Sequence, residues 1–506
     1  MTAQPALSDF TANYNSGKSQ LVWQWVPSDL ETPVSAYMKL CRKEDYSFLL
    51  ESVEGGATLG RYSIIGFAPD IIWECVSGEV RIWHDYGSKD LYNAPPLMSL
   101  RALLADCRID VTAPEIPPMA VSGLFGYLGY DMVRRIEDIP DKNPDDLTIP
   151  ESVLIRPTVL AIFDNVKNRM CLVAPVYRHA QNSREKAESV YAEASERLSG
   201  MLKKLMVPLD SSYGTAKTKL TSPLEVTSNT SRDEYHAMVK KAVEYIRAGE
   251  IFQVVPSQRF SAPFDLPSFS LYRALRSLNP SPFMFHLSFK GFSLVGSSPE
   301  ILVRVRGGTV TIRPIAGTRP RGKDDAEDKE FAESLLNDPK ERAEHLMLLD
   351  LGRNDVGRIA QTGSVEVTDQ FTIERYSHVM HIVSNVEGVL RKDMDILDAL
   401  FAGFPAGTVS GAPKVRAMEI IDELEKSRRS YYAGGVGYLS GNGEMDTCIA
   451  LRTALVKDGM LYVQAGGGIV ADSDPEYEYQ ESCNKARAVI RAAQLALGID
   501  PHQGSS

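Results

Sequence analysis

The sequence predicts an α+β protein. Three observations carry that expectation: alternating segments joined by tight turns, amphipathic helices with recognisable caps, and few strand–helix–strand units. The clearest turn lies in residues 301–315, ILVRVR-GG-TVTIRPI, where alternation runs on both sides of Gly307-Gly308. A two-residue hairpin turn needs positive φ at its central positions, which glycine supplies without steric cost. The clearest helix opens at Ser231-Arg-Asp-Glu234, a capping box in which the Ser hydroxyl and Glu carboxylate satisfy exposed backbone N–H groups. It presents Tyr235, Met238, Val239, Ala242, Val243 and Ile246 on one face and is expected to stop at Gly249.

The remaining elements follow in chain order. Residues 182–205 place Ala187, Val190, Tyr191, Ala194, Leu198, Met201, Leu202 and Leu205 on one helical face. The next stretch, residues 207–230, is rich in Ser, Thr, Lys and Pro and marks a boundary. The chain then divides into an N-terminal region at 20–206, a linker at 207–230, a second region at 231–492 and a tail at 493–506. Residues 251–260, IFQVVPSQRF, read as a strand whose Pro256 puts it at a sheet edge or a bulge. Further strands are expected around residues 433–439, 447–455 and 461–464.

Composition narrows the functional classes. With 506 residues and 43% hydrophobic content, the chain can bury a sizeable core in two units or one two-lobed unit. Its net charge of -11 repels polyanions and no basic run offsets it, so nucleic acid is not an expected partner. The cysteines at 41, 75, 107, 171, 448 and 483 are scattered with no CxxC pair, which fits a reducing compartment. The opening residues lack a basic n-region followed by an apolar stretch, and no apolar run approaches the roughly 18 residues of a membrane span. A soluble cytoplasmic protein without membrane contact is expected.

Two segments are built alike and carry the strongest chemical signal. Asp338-Pro-Lys-Glu341-Arg-Ala-Glu344 and Asp474-Pro-Glu-Tyr-Glu478-Tyr-Gln-Glu481 each pair an Asp N-cap with Pro at the first helical position. Carboxylates three residues apart share a helical face and repel unless a cation lies between them. Two such faces brought together suit Mg²⁺, which takes few carboxylates and keeps several waters. The plainer reading is also open: Glu341 completes a capping box with Asp338, and the other acids sit on solvated faces.

Other candidates stand alone. Ala465-Gly-Gly-Gly-Ile469 can converge backbone N–H groups on an anion or be an ordinary turn. No helix begins before Pro475, so Gly466, Gly468 and Ala471 do not make a dinucleotide fingerprint. Glu300 is a general acid if buried and a surface residue otherwise. His378 and His381 are each either a base or a hydrogen-bonded core histidine. Arg452, in the apolar run IALRTALV, calls for an anionic partner.

Taken in order, the segments LLESVEGGATLGRYSIIG, GSSPEILVR, PIAGTRPRG, DPKERAEHLMLLDLGRNDVGR, FPAGTVSGAPKVRAMEIIDELE, YYAGGVGYL, IALRTA and DPEYEYQESCNKA resemble the chorismate-utilising enzymes, specifically anthranilate synthase component I. The resemblance implies a two-lobed α/β sandwich of facing, mainly antiparallel sheets with helices outside. It implies conversion of chorismate and ammonia into anthranilate and pyruvate, the first committed step of tryptophan biosynthesis. By motif, Glu344 and Glu481 match direct Mg²⁺ ligands, and Glu341 and Glu478 match ligands acting through water. Arg452, Tyr432, Lys485 and the N–H groups of Gly466, Gly467 and Gly468 match substrate-binding positions, with Gly317 and Thr318 lining the same pocket. Glu300 matches the general acid, and His381 and Thr408 match positions linked to pyruvate elimination.

Two residues select the branch by the same resemblance. Relatives that add water carry Lys where this chain has Gln253, and those making 4-amino-4-deoxychorismate carry a Lys nucleophile where it has Ala316. Residues 49–52 and 279–284 resemble the two halves of a tryptophan feedback pocket. Glu51, Ser52, Pro282, Phe283 and Met284 would contact the inhibitor, with Val436, Tyr438 and Cys448 as neighbours. Phe283 stands where many relatives have Tyr, and Pro256 where Leu is usual. No GxCxGxQ-type nucleophile segment occurs, so a separate glutamine amidotransferase subunit is expected to deliver ammonia. A non-catalytic tryptophan sensor on the same fold is the alternative, in which Glu300, Glu344, Arg452 and Glu481 would be unnecessary.

Overall fold

Two long strands, Tyr62–Val76 and Ser152–Asp164, run antiparallel along almost their whole length and hold the architecture together. Each is long enough to belong to two sheets in turn. In a computed structural model of the chain, residues 3–54, 58–84, 88–92, 94–111, 115–117, 123–178, 185–209, 224–376 and 379–499 are described. Their pairing shifts register between Pro69 and Ile71, next to Ala68 at φ 49°. An irregularity of this kind bends a strand and lets it turn from one sheet into another.

The first sheet gathers the first half of Tyr62–Val76 and the second half of Ser152–Asp164. On one side it continues through Arg169–Val176 to Gln20–Pro27. On the other it continues through Ser47–Glu51, Phe283–Phe289, Phe292–Ser298, Thr453–Lys457, Met460–Gly466 and Ser257–Pro263. The second sheet gathers the opposite halves of the same long strands. It runs from Glu79–His84 through Leu124–Leu128, Gly435–Leu439, Met445–Ile449, Ile301–Arg306 and Thr309–Ile312 to Val379–Val389. Every one of these pairings is antiparallel, as the hairpin-rich sequence predicts. The sheets are not separate bodies, because the long strands make them one hydrogen-bonded network.

Alternation along the strands fills two cores. Phe48, Ile64, Leu160, Ile162 and Val173 point into the core shared with Trp73, Phe125, Tyr127, Leu302 and Val303. Phe48 and Phe125 stack there at 4.4 Å across the two sheets. Gly66 makes this approach feasible, since a Cβ on it would meet the Phe48 ring at 2.3 Å. Their strand neighbours Leu49, Ile65, Ala161, Phe163 and Leu172 face outward into a second core beneath the helices Ala187–Leu205, Ser268–Leu278 and Pro475–Ala496. Burying each large apolar side chain contributes about 1.5–3 kcal/mol. The helices Pro339–Ile359 and Ile396–Gly403 pack on the second sheet.

Most local expectations hold. Ser231 and Glu234 form the capping box, and Gly307 and Gly308 turn the hairpin at φ 54° and 76°. Pro256 falls in the gap between Gln253–Val254 and Ser257–Pro263, where no ladder hydrogen bond is lost. The structure corrects the reading of Arg452 as a strand residue. The expected strand is two, Met445–Ile449 in the second sheet and Thr453–Lys457 in the first, and Arg452 lies in the crossing between them at φ 47°. Here the chain breaks between the sheets, where the two long strands bend through an irregularity instead. Residues 210–223 and 500–506, which hold most of the linker and half of the tail, lie outside the described residues, as does His378. Ahead of the helix Arg232–Arg247, Thr227–Ser228 already pairs with the first sheet, and Pro475–Ala496 runs four residues past the expected start of the tail. No helix among the described residues is long and apolar enough to cross a membrane.

Behind the second region sits a buried ion pair that ties three segments together. Arg429, 1% exposed at its side chain, bonds Glu425 and donates to the carbonyls of Val409 and Val255, and Glu425 accepts from Ser257 N and Oγ at 2.8 and 2.7 Å. Removing one partner strands a buried charge, so Arg429→Met is expected to lower unfolding stability by about 3–5 kcal/mol. Urea denaturation with an unchanged m-value measures this.

Candidate active site

The candidate site forms where the chain crosses from sheet to sheet. Glu300 lies between Phe292–Ser298 in the first sheet and Ile301–Arg306 in the second, and Arg452 lies in the matching crossing nearby. The two crossings are held by backbone bonds, Ile449 N–H to Glu300 O at 3.1 Å and Ser297 N–H to Arg452 O at 3.2 Å. Glu300 is 6% exposed, and burial pushes its carboxyl up to about 8, against the opposing pull of Thr408, the Ile315 amide, Lys485 and Arg452. It is therefore mostly protonated at neutral pH. Thr408 Oγ1 is buried close enough to Glu300 to favour its ionised form, yet makes no hydrogen bond of ordinary geometry among the described residues. Arg452 forms no ion pair among the described residues, and burial holds its guanidinium below its ordinary value. It stays cationic nonetheless.

The two carboxylate-bearing helices meet at the glycine run. Asp338 caps one by accepting from Lys340 N and Glu341 N, and Asp474 caps the other by accepting from Tyr477 N. Glu341 does not close a capping box, because Arg319 donates to it at 3.0 Å and also holds Asp338. Glu344 accepts from Gln253 Nε2 at 2.8 Å. Glu481 pairs with Lys485 at 2.7 Å, and the same ammonium donates to Gly466 O at 3.0 Å. Ser473 Oγ donates to Glu478 at 2.7 Å. A Cβ on Gly467 would sit 2.9 Å from Glu478 Oε2 and 3.6 Å from Glu481 Oε1. One on Gly468 would sit 2.5 Å from Gln253 Nε2 and 3.7 Å from Glu344 Oε1, and one on Gly317 would be 3.0 Å from Glu341 Oε2. The glycines thus border all four carboxylates: Gly467 lies against Glu478 and Glu481, Gly468 against Glu344 and Gly317 against Glu341.

That space is electrostatically loaded. Burial pushes Glu478 up to about 7, with Glu481 adding repulsion, and raises Glu344, with Glu341 and Glu481 adding to it. Among the described residues no three metal-ligating side chains converge as a preformed cage. The donor set nevertheless fits Mg²⁺, an ion bound through one or two carboxylates plus waters and substrate oxygens.

His381, Gly317 and Thr318 line the other wall. His381 Nδ1 lies 2.8 Å from Gly317 O and 3.2 Å from Thr318 Oγ1. A carbonyl only accepts, so Nδ1 carries the proton and Nε2 is left as an acceptor. Burial pushes the ring down to about 4, so it is neutral at pH 7. Tyr432 is 3% exposed, its hydroxyl faces the Gly466 amide, and burial raises it to about 12. Sequence reasoning missed Tyr376, which meets His381 edge-on at 5.5 Å, and Arg319, which holds Glu341. Arg319 lies in PIAGTRPRG and could have been noticed as an unpaired cation beside the acidic helix; nothing in the pattern marks Tyr376.

A separate crevice of about 1140 Å³ opens where the N-terminal strands meet the C-terminal ones. It is lined by Glu51, Ser52, Pro282, Phe283, Met284, Val436, Tyr438 and Cys448 together. Cross-strand pairing brings them there: Met284 opposite Glu51, and Val436 opposite Cys448. Pro299, Ile301 and Tyr376 also line it, so the crevice reaches the residues flanking Glu300. Tyr438 Oη is buried without a hydrogen-bond partner among the described residues.

Comparison with known proteins agrees with this geometry. The family described as chorismate binding enzyme matches residues 71–491. Anthranilate synthase component 1 of Cereibacter sphaeroides is 53% identical over 97% of this chain and 98% of its own length. The protein of the same name from Thermus thermophilus is 47% identical over 93% of this chain and 96% of its own. The crystal structure of anthranilate synthase component I from Streptococcus pneumoniae superposes with a TM-score of 0.75 at 36% identity, covering 92% of this chain and 99% of that one. The menaquinone-specific isochorismate synthase MenF from Escherichia coli, 20% identical with a TM-score of 0.67, shares the fold. Matched across most of its length in sequence and structure, the chain belongs to the chorismate-binding enzymes, in the family of anthranilate synthase component 1.

Proposed function

We propose that the chain converts chorismate and ammonia into anthranilate and pyruvate, as the synthase subunit that commits chorismate to tryptophan. The observation that carries this reading is a buried Glu300, held largely protonated, in a sheet crossing hydrogen-bonded to the crossing that carries Arg452, which forms no ion pair among the described residues. Arg452, Lys485, Tyr432 and the amides of Gly466, Gly467 and Gly468 hold the carboxylates of the dianionic substrate. Mg²⁺ held by Glu344 and Glu481, with Glu341 and Glu478 through water, would neutralise the ring carboxylate beside the reacting carbon.

Ammonia needs no base to attack C2, and Gln253 offers none. As the ring double bond shifts, Glu300 donates its proton to the departing C4 hydroxyl and becomes a carboxylate that Arg452 and Lys485 stabilise. Neutral His381, with Nδ1–H committed to Gly317 O, presents Nε2 to take the C2 proton as pyruvate leaves, with Thr408 lining the same step. Ala316 has no nucleophilic side chain, which disfavours the 4-amino-4-deoxychorismate product. L-Tryptophan is the ligand of the crevice between Ser52 and Met284, acting as feedback inhibitor. A separate amidotransferase subunit supplies ammonia from glutamine.

Product fluorescence tests the reading directly: the purified chain with chorismate, Mg²⁺ and an ammonium salt yields anthranilate, and tryptophan suppresses it. Failure to form anthranilate overturns the assignment. Glu300→Gln is expected to lower kcat by about 10²–10⁴-fold with the fold intact by circular dichroism. Because the acid form is the active one and its pKa is raised to about 8, turnover per free NH₃ falls as pH rises through that value, and the glutamine variant lacks this limb. Glu481→Gln is expected to abolish turnover while calorimetric tryptophan binding persists; surviving turnover rejects the metal ligand. Gly467→Ala, whose methyl would meet Glu478 at 2.9 Å, is expected to raise the Mg²⁺ concentration for half-maximal rate. A misplacement of this order costs up to about a hundredfold.

A further inference from the structure

We propose that Arg276 and Tyr272 are positioning residues for tryptophan, acting through Glu51, so that the feedback response depends on a buried clamp outside the crevice. The inference rests on the reading of the crevice as the tryptophan site. Strand alternation turns Leu50 toward the core shared by the sheets and the Glu51 side chain away from it, toward the helix Ser268–Leu278. The Glu51 side chain is 0% exposed. Its carboxylate accepts from Arg276 Nε at 2.9 Å, from the second Arg276 nitrogen at 3.2 Å and from the Tyr272 hydroxyl. Among the described residues, the donors to this carboxylate all come from one helix, and Glu51 also lines the crevice.

This clamp joins the two walls of the crevice. Ser47–Glu51 comes from the N-terminal region and supplies Glu51 and Ser52. Ser268–Leu278 comes from the second region and leads through residues 279–281 into Pro282, Phe283 and Met284. The other end of the same strand is pinned in parallel. Tyr37 Oη bonds Ser47 Oγ at 2.7 Å and His286 Nδ1 at 2.9 Å, and His286 Nε2 bonds Ser268 Oγ at 2.9 Å. Without Arg276 the Glu51 carboxylate is left buried with a single neutral donor, which favours a shift of the chain at Ser52 that changes the wall against Met284. The helix also continues toward the catalytic crossing. Ser297 Oγ donates to Asn279 O at 2.5 Å and lies 2.8 Å from Ser281 Oγ, and Ser297 N donates to Arg452 O.

The test uses the full chain in the ammonium-dependent anthranilate assay, with calorimetric titration of tryptophan. Charge-assisted hydrogen bonds of this kind justify an expected rise of about tenfold or more in tryptophan Kd and half-inhibiting concentration for Arg276→Leu. Its kcat and chorismate KM without tryptophan stay at the wild-type values. Arg276→Lys, which keeps the charge and loses the fork, is expected to fall between the two. Tyr272→Phe keeps the ring stacked on Phe269 at 5.3 Å and loses only the hydroxyl, so it decides the matter if the leucine variant fails to fold. Wild-type tryptophan affinity in both Arg276→Leu and Tyr272→Phe overturns the clamp and leaves the crevice reading standing. A wild-type chain that neither binds tryptophan nor responds to it overturns the crevice reading and the clamp with it.

Discussion

The catalytic geometry depends on the passage of the chain from one sheet to the other. A strand at a sheet junction must either bend or break, and the backbone amides and carbonyls freed by a break need partners. Here two breaks lie side by side and satisfy one another, Ile449 with Glu300 and Ser297 with Arg452. The residues at those breaks are released from the regular inward and outward alternation of a strand. Backbone hydrogen bonding thus sets a carboxyl and a guanidinium in neighbouring crossings, where each feels the other's charge. The same seam explains why Arg452 adopts a left-handed conformation that an arginine rarely takes.

Charge then organises the space. The chain as a whole is anionic and chorismate is a dianion, so positive charge has to be local. Arg452 and Lys485 provide it from two different elements. Beside them lie the carboxylates of two helices, where burial first and mutual repulsion second raise Glu478 and Glu344 against the pull of Lys485. Lys485 bridges the two populations, pairing with Glu481 at 2.7 Å and donating to Gly466 O at 3.0 Å beside the glycine run. Charged groups fixed by the fold in this way are preorganised, which spares solvent reorganisation during reaction.

Much of this was legible in the sequence, and the reasons for the exceptions are physical. The hairpin at Gly307-Gly308, the capping box at Ser231 and the two Asp-Pro helix starts are local signals that tertiary structure had no cause to override. The carboxylate spacing was legible as a shared face but not as a shared site, because nothing in one helix reports where another will dock. Glu300 could not be told from a surface acid, since burial is a property of the fold and not of the tripeptide around it. Arg452 was misread as a strand residue because apolar neighbours on both sides look continuous when each half belongs to a different sheet. Tyr376 carried no periodic or motif signal, and only packing against His381 brings it to notice.

The shared strands have a consequence for how the chain can be divided. Ser47–Glu51 pairs with Phe283–Phe289, and Leu124–Leu128 pairs with Gly435–Leu439, so each sheet is part N-terminal and part C-terminal. The polar linker that separates the two regions along the sequence separates nothing in space. Cutting the gene there would yield two halves, each with a pair of bare β-edges and half of a crevice, prone to pair with any exposed strand they met. Selection on such a protein acts on the whole chain, and recombination at its most permissive-looking stretch is the kind of event the architecture is least able to absorb.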